Sequence, residues 1–407
     1  MKSVDQHLAD VLEGVEPLQP LELQLLDADG CVLAEDVVAP WDLPMFDNSA
    51  MDGYAVRLAD VEGAHEGAPA VLPVVGDVPA GTPPQFTVQP GMSARVMTGA
   101  EVPLGTEAVV PLEWTDGGIT GVSITQQPEP GAHIRRRGED VQAGQTVLEA
   151  GNRLGPAQLG MLAAVGRARA LVRPKPRVVI LSTGSELVEP GTTPGPGQIS
   201  ESNSYMLSAA AHQAGALAYR IGIVPDDPRT LLDTIEDQLI RADLVVTTGG
   251  VSVGAYDVVK EVLTRLGTVD FSTVAMQPGK PQGHGHVGPD ETPIFTLPGN
   301  PVSAYVSFEV FVRPVIRRML GAEPLHRPMV RAICMEGFDS PVGKRQYVRG
   351  RLEVRDGRYV ATPVGGQGSH LMGGLAQSNA LLVVPDDVGR INEGEPVAVM
   401  VLERRLV

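Results

Sequence analysis

Beyond residue 176 the sequence settles into a rhythm that few architectures accommodate. Short apolar runs at 177–182, 218–224, 244–248, 269–275 and 293–297 alternate with helix-length segments at 202–215, 228–241, 256–266 and 302–320. Near-continuous apolar strands need cover on both faces, and crossover helices between parallel neighbours provide it. The pattern predicts a central doubly wound α/β domain built on a parallel sheet. The stiff run Arg173-Pro174-Lys175-Pro176 marks its beginning, which gives bounds of 173–322.

The flanking segments read differently. Strand-like runs at 70–75, 93–97, 108–111 and 121–125, broken by Gly and Pro, predict a small all-β domain over 54–137. Similar runs at 330–334, 346–354, 359–362, 380–384 and 397–402 predict a second β domain, a barrel or sandwich, over 327–407. Val4, Leu8, Val11 and Leu12 form a helical stripe that Pro17 and Pro20 end, so residues 1–20 are expected to pack a helix on the body. Segments 21–53 and 138–172 read as extended, with one short helix at 157–165. A chain of 407 residues suits such a multi-domain α/β plus all-β plan.

Forty-nine acidic against 32 basic residues leave a net charge of −17. That field repels polyanions and disfavours nucleic-acid partners. An anionic ligand would need a local cation or exposed backbone N–H groups. The two cysteines, Cys31 and Cys334, stand far apart and in no metal-ligand spacing, which disfavours a disulfide framework or zinc module and suits a reducing cytosol. No signal-peptide core opens the sequence and no run approaches the ~20 apolar residues of a membrane span, so a cytoplasmic protein without membrane contact is expected.

Four loops follow predicted strands, and ligands of open α/β sheets bind beyond the carboxyl ends of strands. In the first, Thr183-Gly184-Ser185-Glu186, Glu186 is a candidate carboxylate. The second, Thr248-Gly249-Gly250-Val251-Ser252-Val253-Gly254, has glycines that permit an anion-binding nest. Asp257 follows it, either to complement the helix dipole or to hold a hard cation beside phosphate oxygens. The third, Pro278-Gly279-Lys280-Pro281, presents a cation stiffly, for an oxyanion or simply for solvent. The fourth runs Leu297-Pro298-Gly299-Asn300-Pro301. Asn300 suits an N-cap, Pro301 a first helical position and Gly299 a close backbone approach. Together they make either an anion site or an ordinary capped helix.

Two patterns point elsewhere. Gly250-Val251-Ser252-Val253-Gly254 matches a nucleophile elbow, but Ser252 lies past the tight strand-to-helix turn and no HGGG loop precedes it. The candidate bases His284, His286, His326 and His370 stand in no telling context. Gly283-His284-Gly285-His286 supplies two histidines without a third metal ligand. Neither a Walker A run nor a helix-opening G-x-G-x-x-G occurs.

Eight motifs together resemble the molybdopterin molybdenumtransferases, the MoeA and gephyrin E-domain family. They are 47–56 (DNSAMDGYAV), 97–100 (MTGA), 135–140 (RRRGED), 182–187 (STGSEL), 248–254 (TGGVSVG), 278–281 (PGKP), 297–303 (LPGNPVS) and 366–370 (GQGSH), in family order over nearly the whole chain. The resemblance implies an α/β domain of the molybdopterin-binding type, an inserted β domain, an elongated linking domain over 21–53 and 138–172, and a C-terminal β-barrel. It also implies a homodimer with its site at the subunit interface, Mg2+, and insertion of molybdate into adenylylated molybdopterin with release of AMP. Contact with the molybdopterin adenylyltransferase is a further implication.

By the same resemblance the catalytic residues fall on Asp52, Asp140, Glu186, Asp257 and Lys280, with Glu186 and Asp257 on the metal. Thr98, Asp227, Pro298, Pro301, Arg349 and Ser369 contact substrate. The loop residues Thr183, Gly184, Gly249, Gly250, Ser252, Gly279, Gly299 and Asn300 join them as substrate-binding positions. Two positions depart from the family pattern. Gln277 stands where many relatives carry a second lysine, and Gln282-Gly283-His284 replaces an apolar stretch. Rival readings are an adenylyltransferase-like enzyme, whose family is a single small α/β domain, and a non-catalytic molybdopterin-binding scaffold.

Overall fold

Six of the seven residues of strand Arg177–Thr183 are buried, as a Val/Ile/Leu strand inside a two-sided sheet must be. The computed structural model describes residues 1–250 and 255–403, the side chains of 255–257 excepted. The sheet around that strand has the order Leu217–Val224, Arg177–Thr183, Leu244–Thr248, Thr292–Leu297, Pro281–Val287, Gly267–Thr273, and its first four strands run parallel. Pleating sends Val178 and Ile180 to one face and Val179 and Leu181 to the other. Leu207 of helix Asn203–Ala214 and Phe308 and Phe311 of the helical run Pro301–Leu320 cover the first face. Helices Pro228–Leu239 and Ala255–Leu266 cover the second. The domain is doubly wound.

In one respect the sheet differs from expectation. Strand Pro281–Val287 is antiparallel to both neighbours, so the sheet is mixed. Its sequence, PQGHGHV, carries neither strand period nor strand propensity. The glycines answer to space: a Cβ at Gly285 would meet the Thr268 carbonyl, and one at Gly283 would lie 3.0 Å from the Phe271 ring.

Strands Arg345–Arg355, Arg358–Pro363, Met329–Cys334, Pro396–Val401 and Ala380–Val384 close on themselves as a five-stranded barrel, which leaves no open edge. Short strand Met276–Gln277, from the α/β side, extends this sheet by pairing with Arg345 and Gln346. Helix Val4–Leu12, capped by Ser3, buries His7 and Val11 beside Phe311, and Tyr347 and Leu381 of the barrel enter the same core. Asp5 accepts two hydrogen bonds of 2.7 Å from the Arg345 guanidinium. One continuous core therefore fixes barrel loops against α/β loops.

Those elements belong to a unit of residues 1–34, 151–156 and 169–407, and residues 35–150 and 157–168 form a second. The second unit holds a five-stranded sheet of order Ala108–Pro111, Gly53–Val56, Ser93–Val96, His65–Val78, Gly121–Gln126. Gly53–Val56, fully buried, is the strand that polar turn formers at 47–52 conceal in the sequence. Among the described residues no helix is long and apolar enough to cross a membrane.

Candidate functional site

A cleft of about 940 Å³ opens where the parallel strands end. The sheet contributes Thr183 and Glu186, Thr248 to Gly250, and Pro298 to Pro301. The loop before strand Pro281–Val287 contributes Gly279 and Lys280, and the barrel adds Lys344 and Gln367 to His370. Described residues of all four loops singled out above meet here, with Ser369.

Close backbone approach explains the glycines. Gly249 has φ +96°, and a Cβ there would strike the Thr183 carbonyl; one on Gly299 would lie 3.4 Å from the Gly249 Cα. Gly279, at φ +102°, leaves room for only 2.7 Å between a Cβ and Ser307 Oγ. Gln282, buried, donates from Nε2 to the Gly279 carbonyl and to Ser307 Oγ, each at 2.6 Å. Gln282 therefore braces the turn that carries Lys280.

Asn300 occupies the N-cap position, but its side chain does not cap the helix. It donates from Nδ2 to Ser369 Oγ at 3.0 Å, and the Val302 N–H donates to the Ser369 carbonyl at 3.1 Å. The helix start is thereby tied to the barrel loop. Arg349, buried, donates to the carbonyls of Gly366 and Leu371, and its desolvation lowers its pKa. It holds the Ser369 loop and does not line the cleft.

Other candidates lie elsewhere. Asp227 caps helix Pro228–Leu239, and the Thr230 N–H at 2.8 Å holds its carboxyl below the usual range. Gly184 adjoins the lining without being part of it. Asp52, Thr98 and Asp140 belong to the second unit. There the Thr98 N–H donates to Asp52 Oδ1 at 2.7 Å and lowers that carboxyl, while the exposed Asp140 donates its N–H to the Leu43 carbonyl. Arg136 and Arg137 of the 135–140 motif pair with Asp47 and Asp42 at 2.6 and 2.5 Å. Ser252 and the side chain of Asp257 lie outside the described residues. Among the described residues no group of three or more His, Cys, Asp or Glu could hold a metal. His284 and His286 sit 5.9 Å apart, and burial draws His284 down to a pKa of about 4.

Lining residues that escaped sequence reasoning include Glu201, Asn203 and Lys344, while Gln367 and His370 fall within the 366–370 motif. Glu201 is buried and accepts from Ser182 Oγ at 2.7 Å and from the Ser204 N–H at 2.8 Å. Its signal, Glu-Ser-Asn at a helix start, is that of any N-terminal turn.

Residues 2–166 match the MoeA N-terminal region (domain I and II), 179–318 a domain described as "Probable molybdopterin binding domain", and 331–402 the MoeA C-terminal region (domain IV). Molybdopterin molybdenumtransferase 2 of Mycobacterium tuberculosis is 48% identical over 405 residues, covering 98% of this chain and 99% of that one. The chain belongs to the MoeA family. Molybdopterin molybdenumtransferase of Nostoc sp. is 41% identical over 386 residues, 93% of this chain and 88% of its own length. The solved MoeA protein of Pyrococcus horikoshii OT3 superimposes with a TM-score of 0.75 at 31% identity, over 98% of this chain and 100% of that one. The MoeA match spans all the domains described above, which a single-domain adenylyltransferase could not do.

Proposed function

We propose that this chain carries out the last step of molybdenum cofactor biosynthesis, inserting molybdate into adenylylated molybdopterin with release of AMP. The observation that carries the reading is the convergence of four strand-end loops and two ammonium groups, Lys280 and Lys344, in one cleft. In a chain of net charge −17, fixed local donors are what an anionic substrate needs, and they require no reorganisation when charge develops. The names of the relatives above support the same activity.

Glu186 supplies one oxygen donor of the kind a hard divalent cation takes. Glu186 lines the cleft with its carboxylate folded over Gly184, where a Cβ would lie 2.6 Å from Oε2. On this reading Glu186 and Asp257 hold Mg2+, which neutralises charge on the phosphoanhydride. Lys280 binds the oxyanion. Asp52, Thr98 and Asp140 complete the site from a second copy of the chain in a homodimer. The protein works in the cytoplasm, in contact with the adenylyltransferase that supplies its substrate.

The test is reconstitution. Purified protein, adenylylated molybdopterin, Mg2+ and molybdate are expected to activate an added apo-molybdoenzyme. No activation above a control lacking this chain would favour a scaffold that binds without reacting.

A further inference from the structure

We infer that Asn203 reads a neutral hydrogen-bond donor of the substrate, an amine N–H or a hydroxyl, on a wall of the cleft otherwise suited to anions. The inference rests on the proposed function and adds to it a specificity residue.

Asn203 opens helix Asn203–Ala214, is 9% exposed and lines the cleft. Its Nδ2 donates to the Gly299 carbonyl at 2.7 Å and to Thr248 Oγ1 at 3.0 Å. A carbonyl can only accept, so the nitrogen edge of the amide must face Gly299. Thr248 donates its own hydroxyl proton to the Pro298 carbonyl at 3.0 Å, so toward Asn203 it too acts as acceptor. The amide cannot flip without setting oxygen against both. Its Oδ1 is left buried, with no partner among the described residues.

Thr183 Oγ1, on the same wall, is buried and likewise unpartnered among the described residues. It lies 3.1 Å from where a Gly249 Cβ would stand, so it belongs to the same tight junction of loops. A buried acceptor left unpaired is costly. Although the Thr183 hydroxyl can donate to phosphoanhydride and molybdate oxygens, these are themselves acceptors and cannot relieve Asn203 Oδ1. The chemistry that can is a ring amine of the pterin, or an amine or ribose hydroxyl of the nucleotide. Engaging one of these would fix which end of the substrate faces Asn203 and so set the phosphoanhydride against the anion-binding loops.

Calorimetry with the full chain tests this. The nucleotide arm compares AMP with inosine monophosphate, 2′-deoxy-AMP and 3′-deoxy-AMP; the pterin arm compares pterin with lumazine, which has a carbonyl in place of the amine. In one arm the analogue lacking the donor is expected to bind wild type roughly tenfold more weakly than its parent. That discrimination should vanish in Asn203→Ala and persist in Thr248→Val, which loses the scaffolding bond but keeps Oδ1. No discrimination by wild type in either arm overturns the inference without any variant. So does discrimination that survives Asn203→Ala, or is lost equally in Thr248→Val. A wild type that discriminates yet forms no cofactor would sink the proposed function and leave this inference standing.

Discussion

Asn300 donates its side-chain amide to the hydroxyl of Ser369 at 3.0 Å and so fastens the start of helix Pro301–Ser307 to a loop of the C-terminal barrel. The cleft is thus a product of two domains, and its shape depends on contacts that cross between them. Ser369→Ala removes this bond but keeps the main-chain bond to Val302. A net loss of about 1 kcal/mol should appear as a roughly fivefold fall in kcat/KM for AMP release, with the thermal midpoint nearly unchanged. Unaltered kinetics would show that the tie does not shape the site.

Lys280 stands on a turn braced by Gln282 and packed at Gly279. Lys280→Ala should raise the apparent KM for molybdate by about ten- to a hundredfold, the range expected for a charge-assisted bond of roughly 1.5–3 kcal/mol. Lys280→Arg should recover part of that loss. Gln277→Lys, which adds a third ammonium to the cleft beside Lys280 and Lys344, should lower the KM. Titrating molybdate in the AMP-release assay reads all three, and a KM indifferent to Lys280 would contradict its role.

Gly249 meets two demands at once, a positive φ and contact with the Thr183 carbonyl. Gly249→Ala should destabilise the fold by more than about 1 kcal/mol and abolish activity by parting the two loops. Urea unfolding and AMP release measure the two effects. An alanine variant with wild-type stability and rate would mean that the loops are not in contact.

Acid should weaken the fold through His7. It is buried edge-on to Phe311, with ring centroids 4.7 Å apart, and burial lowers its pKa to about 4. In the unfolded chain it takes a proton near 6.5, so the unfolded state binds more protons between those values. Stability is therefore full above pH 6.5 and is lost as the pH falls toward 4. His7→Leu should reduce the loss between pH 7 and 4.5 by about 2 kcal/mol, leaving a share from His284, whose pKa is lowered in the same way. Denaturant midpoints at the two pH values decide it. An unchanged pH dependence in the variant would rule His7 out.

What the sequence disclosed follows from which physics is local. The strand–helix alternation after residue 176 and the barrel strands carry their own period, so their bounds differ by about a residue or two from those observed. Strand Pro281–Val287 stayed hidden because its glycines answer to the Phe271 ring and the Thr268 carbonyl, which only the folded sheet brings near. Strand Gly53–Val56 was masked by the polar residues before it. In the cleft, the glycine loops announce themselves because backbone geometry is written in residue type. Asn203 does not, since its partners Thr248 and Gly299 are distant in sequence, and Lys344 reaches the cleft only through the folding of the barrel. Asn300 shows the limit from the other side: its position suits a cap, yet its side chain serves Ser369.

The most direct test is the dependence of AMP release on molybdate. Wild-type protein, adenylylated molybdopterin and Mg2+ should release AMP many times faster when molybdate is added, with one AMP formed per cofactor. AMP released at the same rate without molybdate, or none with it, would contradict the account.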